Sequence, residues 1–270
     1  MIQAAIFSIY LGAIIGILII KLVPSLNNLL LYGKVKSLKY QRNFTEFLVR
    51  LTVPKKWFNH YYISLFCYCV LIQWIDLSKI LSIDPSSPSI YKNLKIIHYC
   101  LWFQGFRRCI DCFTFTKYSN KSTINLSHYL LGMFHYFLIS CHLCLCLAQV
   151  KSQEIKLTMV DLGLLALFLL ASLWQSYNHY HLSTLIKYSL PKFTYVASPH
   201  YLNEIVIYFV FMIFSLKDFT SNWLIAGNFV ICFVFVVTNL SISALETWKF
   251  YQLKFGDKFK VKYAIIPGIL

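Results

Sequence analysis

A histidine and a glutamate stand four residues apart at the head of a strongly apolar run. His200 and Glu204 belong to the segment SPHYLNEIVIYFVFMIFSL, which begins at Ser198. On a helix this spacing places both side chains on one face. A carboxylate near a bilayer is costly, so it usually has a partner and often a function. Metal binding, catalysis and a purely structural pair are all compatible with this spacing.

Paired arginines form a second group that could carry chemistry. In FQGFRRCIDCF, Arg107 and Arg108 are followed by Asp111, which lies four residues after Arg107. A guanidinium group matches phosphate oxygens with paired donors, so the two arginines could hold a phosphate. Anchoring at a membrane surface, together with an ion pair along one helix, explains the same residues.

The segment WQSYNHYHLSTLIKYSL, which begins at Trp174, is too polar for lipid contact. Its amides, phenol, imidazoles and amine suit recognition of a ribose or a carboxamide, although a belt of interfacial side chains is equally compatible. These groups come from Gln175, Tyr177, Asn178, His179, His181 and Lys187. Other candidate interfacial residues are His60, Tyr61, Glu246, Lys249, Tyr251 and Lys254. Only convergence of several such groups on one cavity would make a site.

Metal binding is the rival interpretation for His179, His181, His200 and Glu204. His179 and His181 are two residues apart, and positions i and i+2 of a helix face different directions. The E-x-x-H pairs of di-metal helix bundles are absent from these segments. The sequence therefore favours a site without a metal.

The nine cysteines are predicted to be reduced thiols. Most lie inside apolar runs, where a thiol behaves as a small hydrophobic group. Cys109-x-x-Cys112 and Cys141-x-x-Cys144 have the spacing of zinc half-sites, but the second pair lies in the middle of an apolar run. We expect neither a disulfide framework nor a zinc centre.

The composition identifies an integral membrane protein. Of the 270 residues, 58% are hydrophobic and 13% are charged, whereas soluble domains have about 25% charged residues. The mean hydropathy is +0.61. A net charge of +15 could indicate a nucleic-acid binder. The basic residues lie between long apolar runs, however, so charge in loops at an anionic membrane surface is the simpler explanation.

Seven apolar runs are long enough, or nearly so, to cross a bilayer as helices. The predicted spans are 3–22, 59–77, 90–106, 129–150, 157–177, 202–217 and 222–245. The third is the weakest, because lysines interrupt its start. No internal repeat or soluble domain is evident. We predict an all-α polytopic membrane protein with seven transmembrane helices, in which one transmembrane domain covers residues 1–270.

The distribution of basic residues predicts the orientation of these spans. With seven crossings, 19 of the 25 Lys and Arg residues lie on the side of the C-terminus and 6 lie on the other side. Cytosolic loops carry the excess of basic residues, so we expect a lumenal N-terminus and a cytosolic C-terminus. The first basic residue, Lys21, stands at the end of the first apolar run, and no basic residue precedes that run. This order predicts a retained anchor and no cleaved signal peptide.

The chain resembles the steroid 5α-reductase family, and within it the fungal form of the polyprenol (polyprenal) reductase branch, which serves dolichol synthesis. The segments that carry the resemblance are TVPKKWFNHYY, QGFRR, NLSHYLLG, KYSLPKFTYVASPHYLNEI and ISALETWKFYQLKF, followed by KYAIIPGIL. The similarity covers nearly the whole chain and is most specific between Trp174 and Leu270.

The resemblance implies a seven-helix reductase of the endoplasmic reticulum membrane that uses NADPH without a Rossmann fold. By position, Glu204 matches a glutamate beside the nicotinamide, and Tyr251 matches a cofactor-contacting tyrosine. Gln175, His179 and His200 fall where steroid-reducing members have Asn, Asp and Asn. The expected cofactor-binding residues are Arg107, Arg108, Gln175, Asn178, His179, Lys187, Tyr195, Tyr251 and Lys254.

Two positions depart from the pattern of the steroid-reducing members. Those proteins polarise a ring ketone with a Glu and a Tyr, and the corresponding positions here are Thr52 and about Gly105. Neither residue is acidic, and neither is a tyrosine. A steroid is therefore not the expected substrate, and the hydrogen-bond donor must come from another position.

The chemistry of C=C reduction narrows the expected substrate. Hydride does not readily add to an isolated C=C bond, because the developing carbanion has no stabilisation. In an α,β-unsaturated carbonyl the charge moves to an enolate oxygen, where a donor can stabilise it. A polyprenol has no such electron sink. We therefore expect the lipid aldehyde polyprenal to be the substrate.

His200, Tyr201 and His60 are the expected donors, and Glu204 is expected to orient His200 or to bind the cofactor amide or ribose. NADPH is expected in preference to NADH, because several cations could meet its 2′-phosphate: Arg107, Arg108, Lys187, Lys192 and Lys254. The alternatives are reduction of very-long-chain enoyl-CoA or of a steroid, a membrane methyltransferase with a nucleoside cofactor, and a transporter or scaffold.

The predicted orientation has a direct test. The sequons Asn43-Phe44-Thr45 and Asn125-Leu126-Ser127 both fall on the cytosolic side, so we expect neither to carry a glycan in a eukaryotic host. Gel mobility before and after endoglycosidase treatment measures this. A sequon added before Met1 is the positive control, because the N-terminus is expected in the lumen. A mobility shift of the unmodified protein would contradict the orientation.

Overall fold

Long helices make up most of the chain. The computed structural model describes residues 1–23, 26, 46–75, 90–116, 122–186, 189–217 and 223–270, to which the statements below refer. Lys187 and the sequon at Asn43 lie outside these residues. The elements are α1 (Ile2–Leu22), α2 (Glu46–Arg50), β1 (Thr52–Pro54), α3 (Phe58–Trp74), α4 (Tyr91–Thr114), β2 (Thr123–Asn125), α5 (Leu126–Ala148), α6 (Met159–Thr184), α7 (Pro199–Leu216) and α8 (Trp223–Phe255).

Five of these helices are long and apolar enough to cross a membrane: α1, α5, α6, α7 and α8 with its continuation to Lys258. Helices α3 and α4 coincide with predicted spans but fall short of the same criteria. Helix α3 has 17 residues. Helix α4 has polar side chains that lower its hydropathy. These side chains are buried, because α4 packs against α3, α5, α6 and α7. The predicted helical membrane protein is confirmed, and crossing by all seven long helices stays a prediction.

Contacts at both ends of α4, α6 and α7 establish their relative directions. Asp161 near the start of α6 pairs with Lys92 near the start of α4. Arg107 near the end of α4 contacts Gln175 near the end of α6, so these two helices are parallel. Gln175 also contacts Glu204 in the first turns of α7, so α7 is antiparallel to both.

The remaining helices continue this alternation. The Asn228 side chain of α8 donates to the Gln3 carbonyl of α1, and Lys21 pairs with Glu246, so α1 and α8 are parallel. Helix α3 is antiparallel to α4 and parallel to α5, and α5 is antiparallel to α8. The seven long helices therefore alternate in direction along the chain. We call the end that contains Glu204 and Glu246 the site end, and the opposite end the far end.

A two-stranded antiparallel sheet joins the starts of α3 and α5 at the site end. Strands β1 and β2 pair with Thr52 opposite Asn125. Asn125 also caps α5, because its Oδ1 accepts a hydrogen bond from the Ser127 amide at 2.9 Å. Its Nδ2 donates to the Leu48 carbonyl at 2.7 Å. A glycan on this nitrogen would break the contact with Leu48, which is consistent with the expected cytosolic side.

Helix α4 approaches α3 closely at Gly105. A Cβ atom there would lie 2.9 Å from the backbone nitrogen of Phe66, so a larger residue would require α3 to move. Small residues allow such close approach between membrane helices. This contact places Arg108, one turn later on α4, against Tyr62, one turn earlier on α3.

Asp161 connects three helices at the far end. Its carboxylate is fully buried and pairs with Lys92 at 2.9 Å and with Lys217, which follows α7. It also forms a capping box with Thr158: Asp161 Oδ2 accepts from the Thr158 amide at 2.8 Å, and Thr158 Oγ1 accepts from the Asp161 amide at 3.2 Å. One side chain therefore holds the starts of α4 and α6 and the end of α7 together.

We expect Asp161→Ala to destabilise the protein strongly. Removing one partner of a buried ion pair costs roughly 3–5 kcal/mol, and the helix cap is lost in addition. Thermal unfolding in one detergent measures the effect as a lower Tm. Glu154→Ala is the control, because Glu154 pairs with Lys156 on the surface and should leave Tm unchanged. Equal Tm values for the two variants would contradict the assigned role of Asp161.

Candidate active site

Two glutamines and a glutamate from three helices meet at the site end. Gln104 of α4 donates from Nε2 to Oε2 of Glu204 at 3.0 Å, and Gln175 of α6 donates from Nε2 to the same oxygen. The Gln175 amide also donates to the His200 carbonyl at 3.1 Å. The charge of Glu204, near the start of α7, is therefore stabilised by two side-chain amides from neighbouring helices.

The oxygens of the same two amides accept hydrogen bonds from Arg107. Arg107 Nη2 donates to Gln104 Oε1 at 2.7 Å and to Gln175 Oε1. Each glutamine thus has its oxygen on the guanidinium and its nitrogen on the carboxylate, which is the orientation that both charges favour. We call Arg107, Gln104, Gln175 and Glu204 the glutamine bridge.

Asp111 pairs with both arginines. Its Oδ2 accepts from Arg107 Nη1 at 2.8 Å and from Arg108 Nη1 at 3.1 Å. Ser176 of α6 accepts from Arg107 Nη1 at 2.8 Å and donates to Asp111 Oδ1 at 2.9 Å. Arg108 Nη2 donates to the Tyr62 hydroxyl at 2.9 Å. Both arginines are 7% exposed, so their described contacts are made inside the bundle.

The predicted histidine cluster lies beside the glutamine bridge. The rings of His179 and His200 are 5.2 Å apart, edge to face, and those of His200 and Tyr201 are 4.2 Å apart. Asn178 is 3% exposed, and its Nδ2 has no hydrogen-bond partner within the described residues. Over those same ranges, no three His, Cys, Asp or Glu side chains are grouped closely enough to hold a metal ion.

The structure places three other predicted residues away from the glutamine bridge. His60 lies at the surface, where its Nδ1 is 2.9 Å from the Tyr129 hydroxyl and its ring contacts Trp57. Tyr195 is 76% exposed. Lys254 is exposed, with its ammonium over the rings of Phe250 and Phe255. These residues lie toward the site end, but their described contacts do not reach Glu204.

The C-terminal tail holds the segment that leads into α7. The amide of Ala197 donates to the Tyr263 carbonyl at 3.0 Å, and that of Ser198 donates to the Ala264 carbonyl at 3.2 Å. Tyr251, which was predicted to contact the cofactor, is buried in a cluster that includes Ala197. This pairing fixes the backbone immediately before His200, and both of its segments lie in the range where the family resemblance is most specific.

Several buried polar residues of the bundle were missed by the sequence analysis. Gln104 and Ser176 belong to the site itself. Deeper in the bundle, His135 lies between two hydroxyls, with Nδ1 3.2 Å from Tyr10 and Nε2 2.9 Å from Tyr208. The available signal was a polar or ionisable residue inside a predicted span, whereas the predicted site residues lie mainly at the ends of the spans.

Comparisons with known proteins agree with the resemblance of the sequence to the steroid 5α-reductase family. The profile of the family described as 3-oxo-5-alpha-steroid 4-dehydrogenase matches residues 122–270, more than half of the chain. The polyprenal reductase of Saccharomyces cerevisiae is 31% identical over 281 aligned residues, which cover 100% of this chain and 97% of that protein. The polyprenal reductases of Xenopus tropicalis and Drosophila melanogaster are 29% and 28% identical. Their alignments cover 90% and 82% of this chain, and 87% and 77% of the relatives. The chain therefore belongs to the 3-oxo-5-alpha-steroid 4-dehydrogenase family, the steroid 5α-reductases.

Proposed function

We propose that this chain is an NADPH-dependent reductase that reduces the α-isoprene C=C bond of polyprenal. The product, dolichal, leads to dolichol for protein N-glycosylation, and the enzyme acts in the endoplasmic reticulum membrane. The observation that carries this proposal is the similarity to a polyprenal reductase along 100% of the chain. Membership of a reductase family supports the type of reaction.

We infer that all seven long helices cross the membrane with the site end toward the cytosol. The alternating directions of the helices support this, because α3 and α4 occupy the second and third places in an unbroken series of antiparallel steps. The excess of basic residues on the same side supports the orientation. A cytosolic site end gives a soluble cofactor direct access to Glu204.

The polar groups beside the glutamine bridge fit the nicotinamide end of NADPH, which supplies hydride when bound. The described contacts of Glu204 reach its Oε2, so Oε1 can accept from a carboxamide or a ribose hydroxyl. The buried Nδ2 of Asn178 offers a donor to an oxygen of the same groups. His179 and His200 form a wall of paired rings beside them. We assign these residues to holding the reactive end of the cofactor.

The phosphates of the cofactor require cationic side chains that a ligand from the aqueous phase can reach. Arg107 and Arg108 already share Asp111 and donate to further protein groups, so a phosphate would have to replace internal partners. Lys192 and Lys254 are exposed, and we assign the 2′-phosphate to this side of the site. Lys187, Tyr195 and Tyr251 stay predicted cofactor contacts.

Among the predicted donors, His200 and Tyr201 lie beside the glutamine bridge, whereas His60 is joined to Tyr129. The chemistry requires a donor at the aldehyde oxygen and a proton for the α carbon. Because His200 lies beside the glutamine bridge, we assign it to the route by which a proton from water reaches the α carbon. Reduction of a steroid or of an enoyl-CoA remains the alternative with the same electron flow.

NADPH oxidation by the purified protein tests the proposal. We expect turnover with polyprenal, and none with polyprenol, with a 3-oxo-Δ4 steroid or with a very-long-chain enoyl-CoA. The four compounds are compared at equal concentration in one detergent. Conversion of polyprenol without an added oxidase would overturn the choice of the aldehyde. Turnover of the steroid or the thioester alone would overturn the choice of a polyisoprenoid.

Glu204→Gln should weaken cofactor binding and turnover together. The substitution removes a charge that two amides stabilise, and a hydrogen bond to a charged group contributes about 1.5–3 kcal/mol. We expect kcat/KM to fall by roughly 10-fold to 100-fold, with a matching loss in NADPH affinity measured by cofactor fluorescence. Glu154→Gln is the control, because Glu154 is exposed. Unchanged NADPH affinity of Glu204→Gln would contradict the assignment.

A further inference from the structure

Tyr62 of α3 has a hydroxyl group that one arginine orients. Arg108 Nη2 donates to the Tyr62 oxygen at 2.9 Å, and the guanidinium carbon lies 4.4 Å from the centre of the Tyr62 ring. The oxygen is therefore the acceptor in this contact. The described residues provide no acceptor for the hydroxyl hydrogen. A donated hydrogen bond from a cation also stabilises negative charge on the phenol oxygen, which makes its O–H a stronger donor.

Tyr62 is half-buried and faces the interior of the site end. Its ring lies 5.8 Å from that of Tyr136 on α5. Arg108 and the glutamine bridge are joined through Asp111. The hydroxyl is thus connected to the glutamine bridge through Arg108 and Asp111, on the side of α3 and α5.

Three neighbouring tyrosines have hydroxyls that are already hydrogen-bonded or enclosed. Tyr61 donates to the His128 carbonyl at 3.4 Å. Tyr208 is 2% exposed and is joined to His135. Tyr136 is 7% exposed. At Gly105, the close approach of α3 leaves no room for a side chain. Compared with Tyr61, Tyr136 and Tyr208, Tyr62 combines a hydroxyl oriented by Arg108 with a partly exposed side chain.

We propose that Tyr62 donates the hydrogen bond to the carbonyl oxygen of the substrate, and that Arg108 positions it. This inference rests on the proposed function. The β carbon of the enal forms a C–H bond with the incoming hydride, which oxidises NADPH to NADP⁺, and the C=C π bond breaks. Its electrons form a new double bond between the α carbon and the carbonyl carbon, and the carbonyl π pair moves to oxygen as an enolate.

Tyr62 stabilises that enolate oxygen and keeps its own proton. When the carbonyl re-forms, the α carbon takes a proton that originates from water, so one hydride and one proton are consumed in total. The donor and the proton source are then different groups.

Tyr62→Phe tests the inference, with Tyr61→Phe as the matched control. The first readout uses a three-isoprene enal labelled with ¹³C at its carbonyl carbon and protein without cofactor. We expect the bound carbonyl resonance to move downfield in the wild type and in Tyr61→Phe, and to stay at its non-hydrogen-bonded position in Tyr62→Phe. The second readout is turnover: loss of one enolate-stabilising donor should lower kcat by about 100-fold to 1,000-fold, with the KM for NADPH unchanged.

The outcomes separate the two proposals. A wild type that oxidises no NADPH with the aldehyde overturns the proposed function. A Tyr62→Phe protein with the wild-type resonance and rate overturns only the role of Tyr62. If Tyr62→Phe fails to fold, 3-fluorotyrosine at position 62 replaces it, because this analogue keeps the shape and donates a stronger hydrogen bond. A larger downfield shift is then expected, and an unchanged shift overturns the inference.

Discussion

The site end depends on two amides that hold a guanidinium and a carboxylate at a fixed separation. Arg107 and Glu204 act on each other through Gln104 and Gln175, whose oxygens face the cation and whose nitrogens face the anion. A carboxamide suits this position because it offers an acceptor and donors in one planar group. Since the four residues come from α4, α6 and α7, the hydrogen bonds that orient the Glu204 carboxylate also set the spacing of these three helices.

This arrangement solves the problem of placing charge within a membrane helix bundle. Arg107, Arg108, Asp111 and Glu204 carry two positive and two negative charges, so the group is neutral as a whole. Each charge is costly to bury alone, and each has a partner within the described contacts. The polar side chains that lower the mean hydropathy of α4 therefore lie on the face of α4 that contacts the other helices.

The helices were predictable from sequence because a bilayer demands long apolar runs, and the Arg107–Asp111 pair was predictable from its spacing on one helix. The hydrogen-bond partners that belong to different helices could not be predicted from the sequence. Gln104 could be recognised only once the face of α4 that meets α6 and α7 was known. His60 and Tyr62 lie two residues apart in the first turns of α3. His60 contacts Tyr129 and Tyr62 contacts Arg108, and this difference depends on how α3 packs against its neighbours.

Hydride transfer requires the reacting groups to be held within about 0.5 Å of their productive positions. A helix that begins after a loop ordinarily frays at its first turn. Helix α7 begins in this way, yet its first turns carry His200 and Glu204. The hydrogen bonds from Ala197 and Ser198 to the C-terminal tail remove that freedom at the site end, and the Asp161–Lys217 pair holds the far end of the same helix. The tail thus fixes the position of α7, and with it the position of the residues that we propose hold the cofactor, even where its own side chains lie elsewhere.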